Sequence, residues 1–252
     1  MYHVLTVSDQ WSELMRAGDD AREEREYLRA EELYKKGLDE ARKLGDVNSH
    51  VATSLAVLAS LYEELGNLAQ VEPLLKIALS IDEKAQGPEH PSVALRLNNL
   101  ALFYKRQNRR QEAESLFLRA LAIDESALGP DHPEVATDLN NLGVLYRSMG
   151  DYAKAEPLYV RALLIREKAL GGEHRDVAMS VYSLAVLFDV QGKSAEADAL
   201  YQRSISIFEK ALGPWHPNVA TAIENYADML RKLGRITEAE PLEARAAAIR
   251  AN

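Results

Sequence analysis

A period of 42 residues is the feature of the sequence that most constrains its fold. The segments GPEHPSV, GPDHPEV, GGEHRDV and GPWHPNV each begin 42 residues after the previous one, and their histidines are His90, His132, His174 and His216. The same step aligns five Val-Ala pairs, which begin at Val51, Val93, Val135, Val177 and Val219. Periods of this size are typical of chains built from one structural unit stacked many times. We therefore expect a repeat protein.

Each unit has the apolar spacing of two helices. In the fourth unit, Val135, Leu139, Leu142 and Tyr146 are spaced by 4, 3 and 4 residues, which predicts one face of a helix of about 16 residues. Gly150 is expected to end that helix, and a second apolar stripe then predicts a helix of about 18 residues. Prolines recur inside this second helix, so it either starts later than Tyr152 or bends at Pro73, Pro157 and Pro241.

Six units account for the chain, approximately at residues 8–45, 46–87, 88–129, 130–171, 172–213 and 214–252. The first is identified by the match of Tyr27–Leu38 to Tyr152–Leu163, and its first helix is expected to have Ser8 or Asp9 as N-cap. Helix pairs that bury little alone but stack side by side form a solenoid. We therefore predict an all-α solenoid of about six antiparallel helix pairs, in one domain of residues 1–252.

The histidines are better explained as helix caps than as metal ligands. Gly129 is expected to end one helix, Pro130 to block its continuation and Pro133 to occupy the first turn of the next, which leaves His132 near the N-cap. In the earliest copy, GDVNSHV, the histidine position holds Asn48, a preferred N-cap residue. Neighbouring helices pack about 8–10 Å apart, whereas zinc binds imidazole nitrogens at about 2.0–2.1 Å. No metal site is predicted.

Composition argues against several classes of function. The net charge of −9 and the pI of about 5.3 disfavour a nucleic-acid surface and docking on anionic lipid. The chain has no cysteine, and its opening, MYHVLTVSDQW, lacks the pattern of a secretory leader, so we expect a cytoplasmic location. No nucleotide-binding, metalloprotease or nucleophile motif is present. We predict neither an enzyme nor a bound cofactor.

The repeat unit resembles the tetratricopeptide repeat, in the 42-residue variant found in kinesin light chains. The residues that carry the resemblance in the fourth unit are Leu142, Gly143, Tyr146, Gly150, Tyr152, Ala155, Tyr159 and Ala162. The resemblance covers about residues 27–251 and implies a right-handed superhelix whose first helices line a concave groove. No heptad coiled coil precedes the repeats, so binding to a motor heavy chain is not implied.

The family resemblance also implies where a partner would bind. Asparagines on the first helices grip the backbone of an extended peptide, because a carboxamide both donates and accepts hydrogen bonds. The matching residues are Asn98, Asn99, Asn140, Asn141 and Asn225. Lys105, Arg106 and Arg147 would add a basic patch that suits an acidic peptide, and Tyr182 and Arg231 complete the candidate set. The alternatives are hydrogen bonds between repeats for the asparagines and simple solvation for the basic residues.

Two classes of function remain open. The first is a scaffold that binds a protein or peptide partner, possibly acidic, in the groove. The second is a structural or self-assembly module that acts through its end helices or convex face, for example through Ala246–Ile249. We expect a monomer or a weak homo-oligomer.

Overall fold

The computed structural model describes residues 6–251, and in that range it contains twelve α-helices and no strand. The first helix of each repeat has an odd number and the second an even number. In chain order the helices are α1 Val7–Glu23, α2 Tyr27–Arg42, α3 Ser49–Glu64, α4 Leu68–Gln86, α5 Pro91–Arg106, α6 Arg110–Leu128, α7 Pro133–Ser148, α8 Tyr152–Leu170, α9 Arg175–Val190, α10 Ser194–Leu212, α11 Pro217–Lys232 and α12 Ile236–Arg250.

The helices pack as six pairs, in agreement with the prediction of an all-α solenoid. Helices of a pair are joined by a short turn and pack against each other. Between pairs, α2 packs against α3, α4 against α5, α8 against α9 and α10 against α11. The chain divides into two compact units of three pairs each. Unit one ends at Leu128 and unit two begins at Gly129. The proposal of a single domain spanning residues 1–252 stays a prediction.

Histidine caps begin four of the first helices, as predicted. In α7 the Nδ1 atom of His132 accepts the backbone N–H of Glu134 at 3.2 Å, and His90, His174 and His216 cap their helices in the same way. Asn48 caps α3 through its side-chain oxygen, which accepts two backbone N–H groups. Before each cap, a residue with positive φ ends the previous helix, such as Gly129 at 91°. The repeat boundary is thus set by local chemistry.

Two local predictions need correction. The N-cap of α1 is Thr6, not Ser8 or Asp9, because Thr6 and Asp9 form a reciprocal capping box and the helix starts at Val7. In the fourth repeat α8 begins at Tyr152, so Pro157 lies inside the helix and the suggestion of a later start is wrong.

Small residues let the two helices of a pair approach closely. Gly143 of α7 faces the ring of Tyr159, where a Cβ atom would lie 2.7 Å from Cε1 of that ring. Gly18 faces Tyr34 in the same manner, and both tyrosines are fully buried. Large aromatic rings therefore fill space that small residues on the partner helix leave open.

The core of unit two includes part of the segment Ala246–Ile249. Ala246 and Ile249 of α12 are only 2% and 5% exposed, because they belong to a hydrophobic cluster with residues such as Ile223 and Phe208. Two of the four residues of the predicted self-association segment Ala246–Ile249 thus pack inside their own unit, and self-association stays a prediction. Ala247 and Ala248 between them are exposed.

Residues 6–251 contain neither a candidate membrane span nor a candidate metal-binding cluster. None of the helices in this range has the length and hydropathy that a membrane crossing requires. No group of three or more acidic or histidine side chains in the same range is arranged to hold a metal ion. The start of the segment MYHVLTVSDQW, on which the expectation of no secretory leader rests, includes five residues that lie outside the described range.

Candidate functional site

A cavity of about 360 Å³ opens on the side of unit one that its first helices share. Helices α1, α3 and α5 each contribute to its walls, and α4 supplies part of its floor. We call it the unit-one cavity. Its lining is formed by Asp19, Arg22, Ala56, Val57, Ala59, Ser60, Glu63, Val71, Leu75, Arg96, Asn99, Leu102 and Arg106.

The floor of the unit-one cavity is apolar because the second repeat carries smaller or aliphatic residues where other repeats carry polar or aromatic ones. Ala56 and Val57 of α3 stand 42 residues before Asn98 and Asn99. Leu75 of α4 is the counterpart of an aromatic residue in the next three repeats, Phe117, Tyr159 and Tyr201. The cavity thus exists where the second repeat departs from the pattern of the others.

Ion pairs between successive first helices border the cavity. Arg22 of α1 binds Glu64 of α3 through Nε and Nη2, and its Nη2 also donates to the hydroxyl of Ser60 at 2.8 Å. Arg106 of α5 binds both carboxylate oxygens of Glu63. The hydrogen bond from Arg22 lowers the pKa of Glu64. Both arginines are therefore neutralised by a carboxylate from the neighbouring repeat.

A buried ion pair stiffens the wall beside them. Arg96 of α5 is 6% exposed, and its Nε donates to the fully buried carboxylate of Asp82 at 2.8 Å. Its Nη2 donates to the hydroxyl of Thr53 on α3 at 2.7 Å. Removing one member of such a pair would leave an uncompensated buried charge. Arg96 is therefore a structural tie between the second and third repeats rather than a mobile binding residue.

In unit two the asparagines of the first helices bond to the neighbouring repeat. The hydroxyl of Ser183 on α9 donates to the Oδ1 atom of Asn140 on α7 at 3.0 Å. The Nδ2 group of Asn225 on α11 donates to the hydroxyl of Tyr182 at 2.7 Å and to the backbone oxygen of Thr221 at 2.9 Å. For Asn140 and Asn225, the structure thus favours the alternative of hydrogen bonds between repeats.

Arg147 lies at the end of α7 among tyrosines of unit two. Burial raises the pKa of the Tyr159 and Tyr182 hydroxyls, and the positive charge of Arg147 opposes that rise at both. The Nε atom of Arg147 is buried and has no hydrogen-bond partner within the described residues. On α9, burial raises the pKa of Asp189. The positive charge of Lys232, whose Nζ atom lies 4.0 Å from Oδ2 of Asp189, opposes that rise without cancelling it. This part of unit two therefore holds a guanidinium in an aromatic setting that suits an anionic group.

The remaining predicted residues occupy different settings. Asn98 is 8% exposed and does not line the cavity, so burial removes it from the candidate surface, whereas Asn99 is partly exposed in the cavity wall. Lys105 and Asn141 are also partly exposed. Arg231 binds the carboxylate of Glu243 on α12, at 2.6 and 2.7 Å. Because Arg106 is paired with Glu63, the basic patch expected from Lys105, Arg106 and Arg147 is weaker than its residue count indicates.

Several residues of this site were missed at the level of sequence. Asp19, Arg22 and Leu75 line the unit-one cavity but carry no recognisable motif. The sequence did contain a signal. Ala56 and Val57 stand where the next two repeats have asparagines, and Leu75 stands where the next three repeats have an aromatic residue. The sequence alone did not show that these three residues line the same cavity.

Comparison with protein families gives one match. A model described as Tetratricopeptide repeat matches residues 50–126, 92–163, 139–210 and 182–252. A search of curated proteins found no match.

Solved structures extend the likeness over nearly the whole chain. A crystal structure of BtubC (BKLC) from P. vanneervenii is 21% identical with a TM-score of 0.72, and the alignment covers 98% of this chain and 92% of that one. A putative kinesin light chain with nearly identical TPR-like repeats from Podosopora anserina is 27% identical with a TM-score of 0.66, over 81% of this chain and 97% of that one. A Rap protein complexed with Competence and Sporulation Factor is 18% identical with a TM-score of 0.66, over 98% and 77%.

Proposed function

Because the chain belongs to the tetratricopeptide repeat family, whose members are generally non-enzymatic interaction modules, we propose that it is a scaffold that binds an extended peptide segment of a partner protein. The peptide lies along the faces that the first helices of the repeats present. The similar fold of a Rap protein bound to Competence and Sporulation Factor supports binding as a use of this architecture.

The observation that carries the proposal is the unit-one cavity, to which three successive first helices contribute. A peptide that follows these helices would pass Asn99, whose carboxamide can donate to a peptide carbonyl and accept from a peptide N–H. Contact through the backbone requires an extended chain but no particular side chain. Asn141, partly exposed at the matching position of α7, would make the same contact in unit two.

Within unit two, Arg147 supports an acidic group in a peptide bound to that unit. Its guanidinium lies near the hydroxyls of Tyr159 and Tyr182, and its buried Nε atom has no hydrogen-bond partner within the described residues. A carboxylate placed there would accept charge-assisted hydrogen bonds, which are roughly twice as strong as neutral ones. A single carboxylate fits better than a doubly charged phosphate, because Asp189 and Asp228 act on the adjacent Tyr201 and add negative charge.

The proposal is tested by the double variant Asn99→Ala/Asn141→Ala. Peptides selected from a random twelve-residue display library against the wild-type protein serve as probes. We expect the double variant to bind them at least about fivefold more weakly, since each unit loses a donor–acceptor group worth about 1 kcal/mol, while its melting temperature stays within about 2 °C. Fluorescence anisotropy and circular dichroism measure the two quantities.

Asn225→Ala is the matched control. Its side chain already bonds to Tyr182 and Thr221, so its loss should lower the melting temperature and have less effect on peptide affinity. A double variant that binds peptide as the wild type does would show that the asparagines do not contact it, and one that loses its fold would show that they are structural. Light scattering on the wild-type protein reports whether it is a monomer, as a free binding face requires.

A further inference from the structure

We infer that unit one carries a docking site for one helix of another protein, on a side of α1 that the proposed function does not use. A cavity of about 400 Å³ opens there and is walled by α1 and α2. We call this surface the α1–α2 face, and it is formed by Gln10, Glu13, Leu14, Ala17 and Glu40. It shares no residue with the unit-one cavity, which α1 lines with Asp19 and Arg22. The helix that fits carries a large apolar residue and, three positions later, a basic one.

The alignment of the first repeat with the others identifies what normally covers such a face. Tyr34 faces a glycine of α1 as Tyr159 faces a glycine of α7, and 125 residues separate the two tyrosines and the two glycines alike. Counterparts in the first and third repeats are one period closer, at 83 residues. At this step Gln10, Leu14 and Glu40 correspond to Val93, Leu97 and Ile123.

In the third repeat a helix lies on these positions. The three counterparts belong to one buried hydrophobic cluster, and Leu79 of α4 packs against it. Three residues further along α4, the carboxylate of Asp82 binds Arg96 of α5 at 2.8 Å. One apolar contact and one ion pair, three residues apart, thus seat α4 on the third repeat.

The α1–α2 face keeps the apolar seat but reverses the charge. Leu14 and Ala17 still present hydrocarbon to the cavity. Glu13, which is exposed, is the counterpart of Arg96 at the step of 83 residues. A helix placed here as α4 is placed on the third repeat would bring its residue at the position of Asp82 opposite Glu13. A cation at that position gains a partner, whereas an acid is repelled.

Helix α8 shows that a basic residue at this position reaches the neighbouring first helix. Its residues at the positions of Leu79 and Asp82 are Leu163 and Arg166. Leu163 packs against the hydrophobic cluster of unit two, and Nη1 of Arg166 donates to the hydroxyl of Ser180 at 2.8 Å. Ser180 is the counterpart of Glu13 in the fifth repeat. An apolar residue followed three positions later by arginine is therefore a combination that this kind of seat accepts.

Glu40 adds a second requirement for a donor. It stands where the five other repeats carry isoleucine, and only 9% of its surface is exposed. Lys43 binds its Oε2 atom, but its Oε1 atom is buried and has no hydrogen-bond partner among the described residues. An oxygen left in this state is costly, so a donor from a docked helix would stabilise it. A glutamate that served only to make this side of the repeat polar would instead expose its carboxylate to water.

A second copy of this chain fits the face less well than a basic helix does. In α12 the counterparts of Leu79 and Asp82 are Ala247 and Arg250. Ala247 is too small to fill a cavity of about 400 Å³, and Arg250 is already bound to both carboxylate oxygens of Glu224. The occupant is therefore assigned to another protein.

The test uses two synthetic peptides with the sequence of α4, Leu68–Gln86, one native and one with Asp82→Arg. We expect the wild-type protein to bind the Asp82→Arg peptide at least about threefold more tightly than the native peptide, because the ion pair with Glu13 replaces a repulsion. The variant Glu13→Arg should reverse this preference. Fluorescence anisotropy measures the four combinations, and circular dichroism checks that the variant keeps its helicity. Equal binding of both peptides to the wild type, no binding of either, or a preference that Glu13→Arg leaves unchanged would overturn the inference.

A second pair of variants tests the apolar part of the seat. Leu14→Ala enlarges the cavity and should weaken binding of the Asp82→Arg peptide at least about threefold. Leu95→Ala is the matched control, since Leu95 is 53% exposed on α5 and lines neither cavity. It should bind the peptide as the wild type does. Equal effects of the two variants would overturn the placement of the helix on this face.

Three further measurements separate the possible occupants. Asn99→Ala/Asn141→Ala should bind the Asp82→Arg peptide as the wild type does, so this site and the proposed function can fail independently; a loss of binding in that variant would place the helix in the groove and overturn the inference. Tighter binding by a protein that lacks residues 1–5 would assign the face to that segment of the chain. A wild-type dimer in light scattering that Glu13→Arg dissociates would assign it to a second copy. Either result would overturn the assignment to another protein, and unchanged affinity with a monomeric wild type supports it.

Discussion

The recurring histidines show how one residue type can serve a purely local purpose. Each is the first residue before a first helix, and its Nδ1 atom accepts a backbone N–H that the helix cannot satisfy internally. Asn48 does the same for α3 with a different side chain. The feature common to the five positions is an acceptor atom at cap distance, not an imidazole.

This equivalence predicts different results for two substitutions at one residue. His132→Ala removes the acceptor and should lower the free energy of unfolding by about 0.5–2 kcal/mol, the usual loss for an N-cap. His132→Asn should be close to neutral, because asparagine already caps α3. Urea denaturation followed by circular dichroism measures both, and equal losses in the two variants would show that the imidazole ring has another role.

At the scale of single residues, the sequence was most informative where local rules act and least where a contact depends on the neighbouring repeat. Gly129, Pro133 and His132 are understood from backbone geometry alone. The bond between Asn140 and Ser183, and the pairing of Arg106 with Glu63, join residues 43 positions apart and require the register between repeats. Thr6 was missed as a cap because Ser8 and Asp9 are equally suitable by residue type.

Among the helices, a recurring carboxylate ties the start of a second helix to the next repeat. Glu31 of α2 accepts from the hydroxyl of Tyr62 at 2.7 Å. Glu72 of α4 accepts from the hydroxyl of Tyr104 at 2.8 Å and from Arg109 at 2.6 Å. Asp198 of α10 accepts from Arg235 at 2.7 Å and is also bound by the hydroxyl of Tyr226. Each tie holds a second helix against the first helix that follows it.

Glu72 makes this tie sensitive to acid. Hydrogen bonds from Arg109, with those from Lys76 and Tyr104, lower the pKa of Glu72 from 4.5 to about 2. A carboxyl whose pKa is lower in the folded state stabilises the fold above its unfolded pKa, and this contribution is lost as the pH falls through the folded value. The stability that Glu72 provides should therefore be complete above pH 4.5 and disappear toward pH 2.

We expect Glu72→Gln to lower the melting temperature at neutral pH and to approach the wild type as the pH falls from 4.5 toward about 2. Glu196→Gln, a change at an exposed position of α10, is the control and should follow the wild type throughout. Thermal melts monitored by circular dichroism at a series of pH values provide the comparison. A difference in melting temperature that stays constant with pH would show that Glu72→Gln destabilises the fold through altered packing and not through the loss of a charge.

For the molecule as a whole, each unit of three pairs has the contacts that a repeat fold requires. Stability in such folds is close to a sum of repeat and nearest-neighbour terms, so no contact between distant parts of the chain is needed. Unit two has its own hydrophobic cluster, in which Tyr201, Phe208 and Ile223 are at most 2% exposed. The unit is therefore expected to be self-sufficient.

This leads to a prediction about a fragment. Residues 129–252, expressed alone, should give a helical circular dichroism spectrum and unfold in one cooperative transition, because the cluster of unit two lies entirely within this range. Hydrogen exchange should show the slowest amides in α9 and α11. A fragment without cooperative unfolding would mean that unit two depends on residues before Gly129.

The architecture was predictable and the site was not, for a physical reason. Apolar periodicity and helix caps repeat in every unit, so six copies of the same evidence supported one fold. The unit-one cavity arises from departures at Ala56, Val57 and Leu75, and a departure occurs once and is not reinforced by repetition. Hydrogen bonds between repeats, such as that of Asn225 with Tyr182, were likewise not predictable, because they depend on the register between neighbouring repeats.

The ion pairs at the rim of the cavity have a consequence for how the gene can change. Arg22 meets Glu64, whereas one repeat later Glu63 meets Arg106, so the sign of the charge reverses from one junction to the next. A tandem duplication of the second repeat would set Glu63 opposite a copy of Glu64, and one of the third would set Lys105 opposite a copy of Arg106. Like charges would meet in both cases. The second and third repeats would thus each pack less well against a copy of themselves, although the repeats look interchangeable by length.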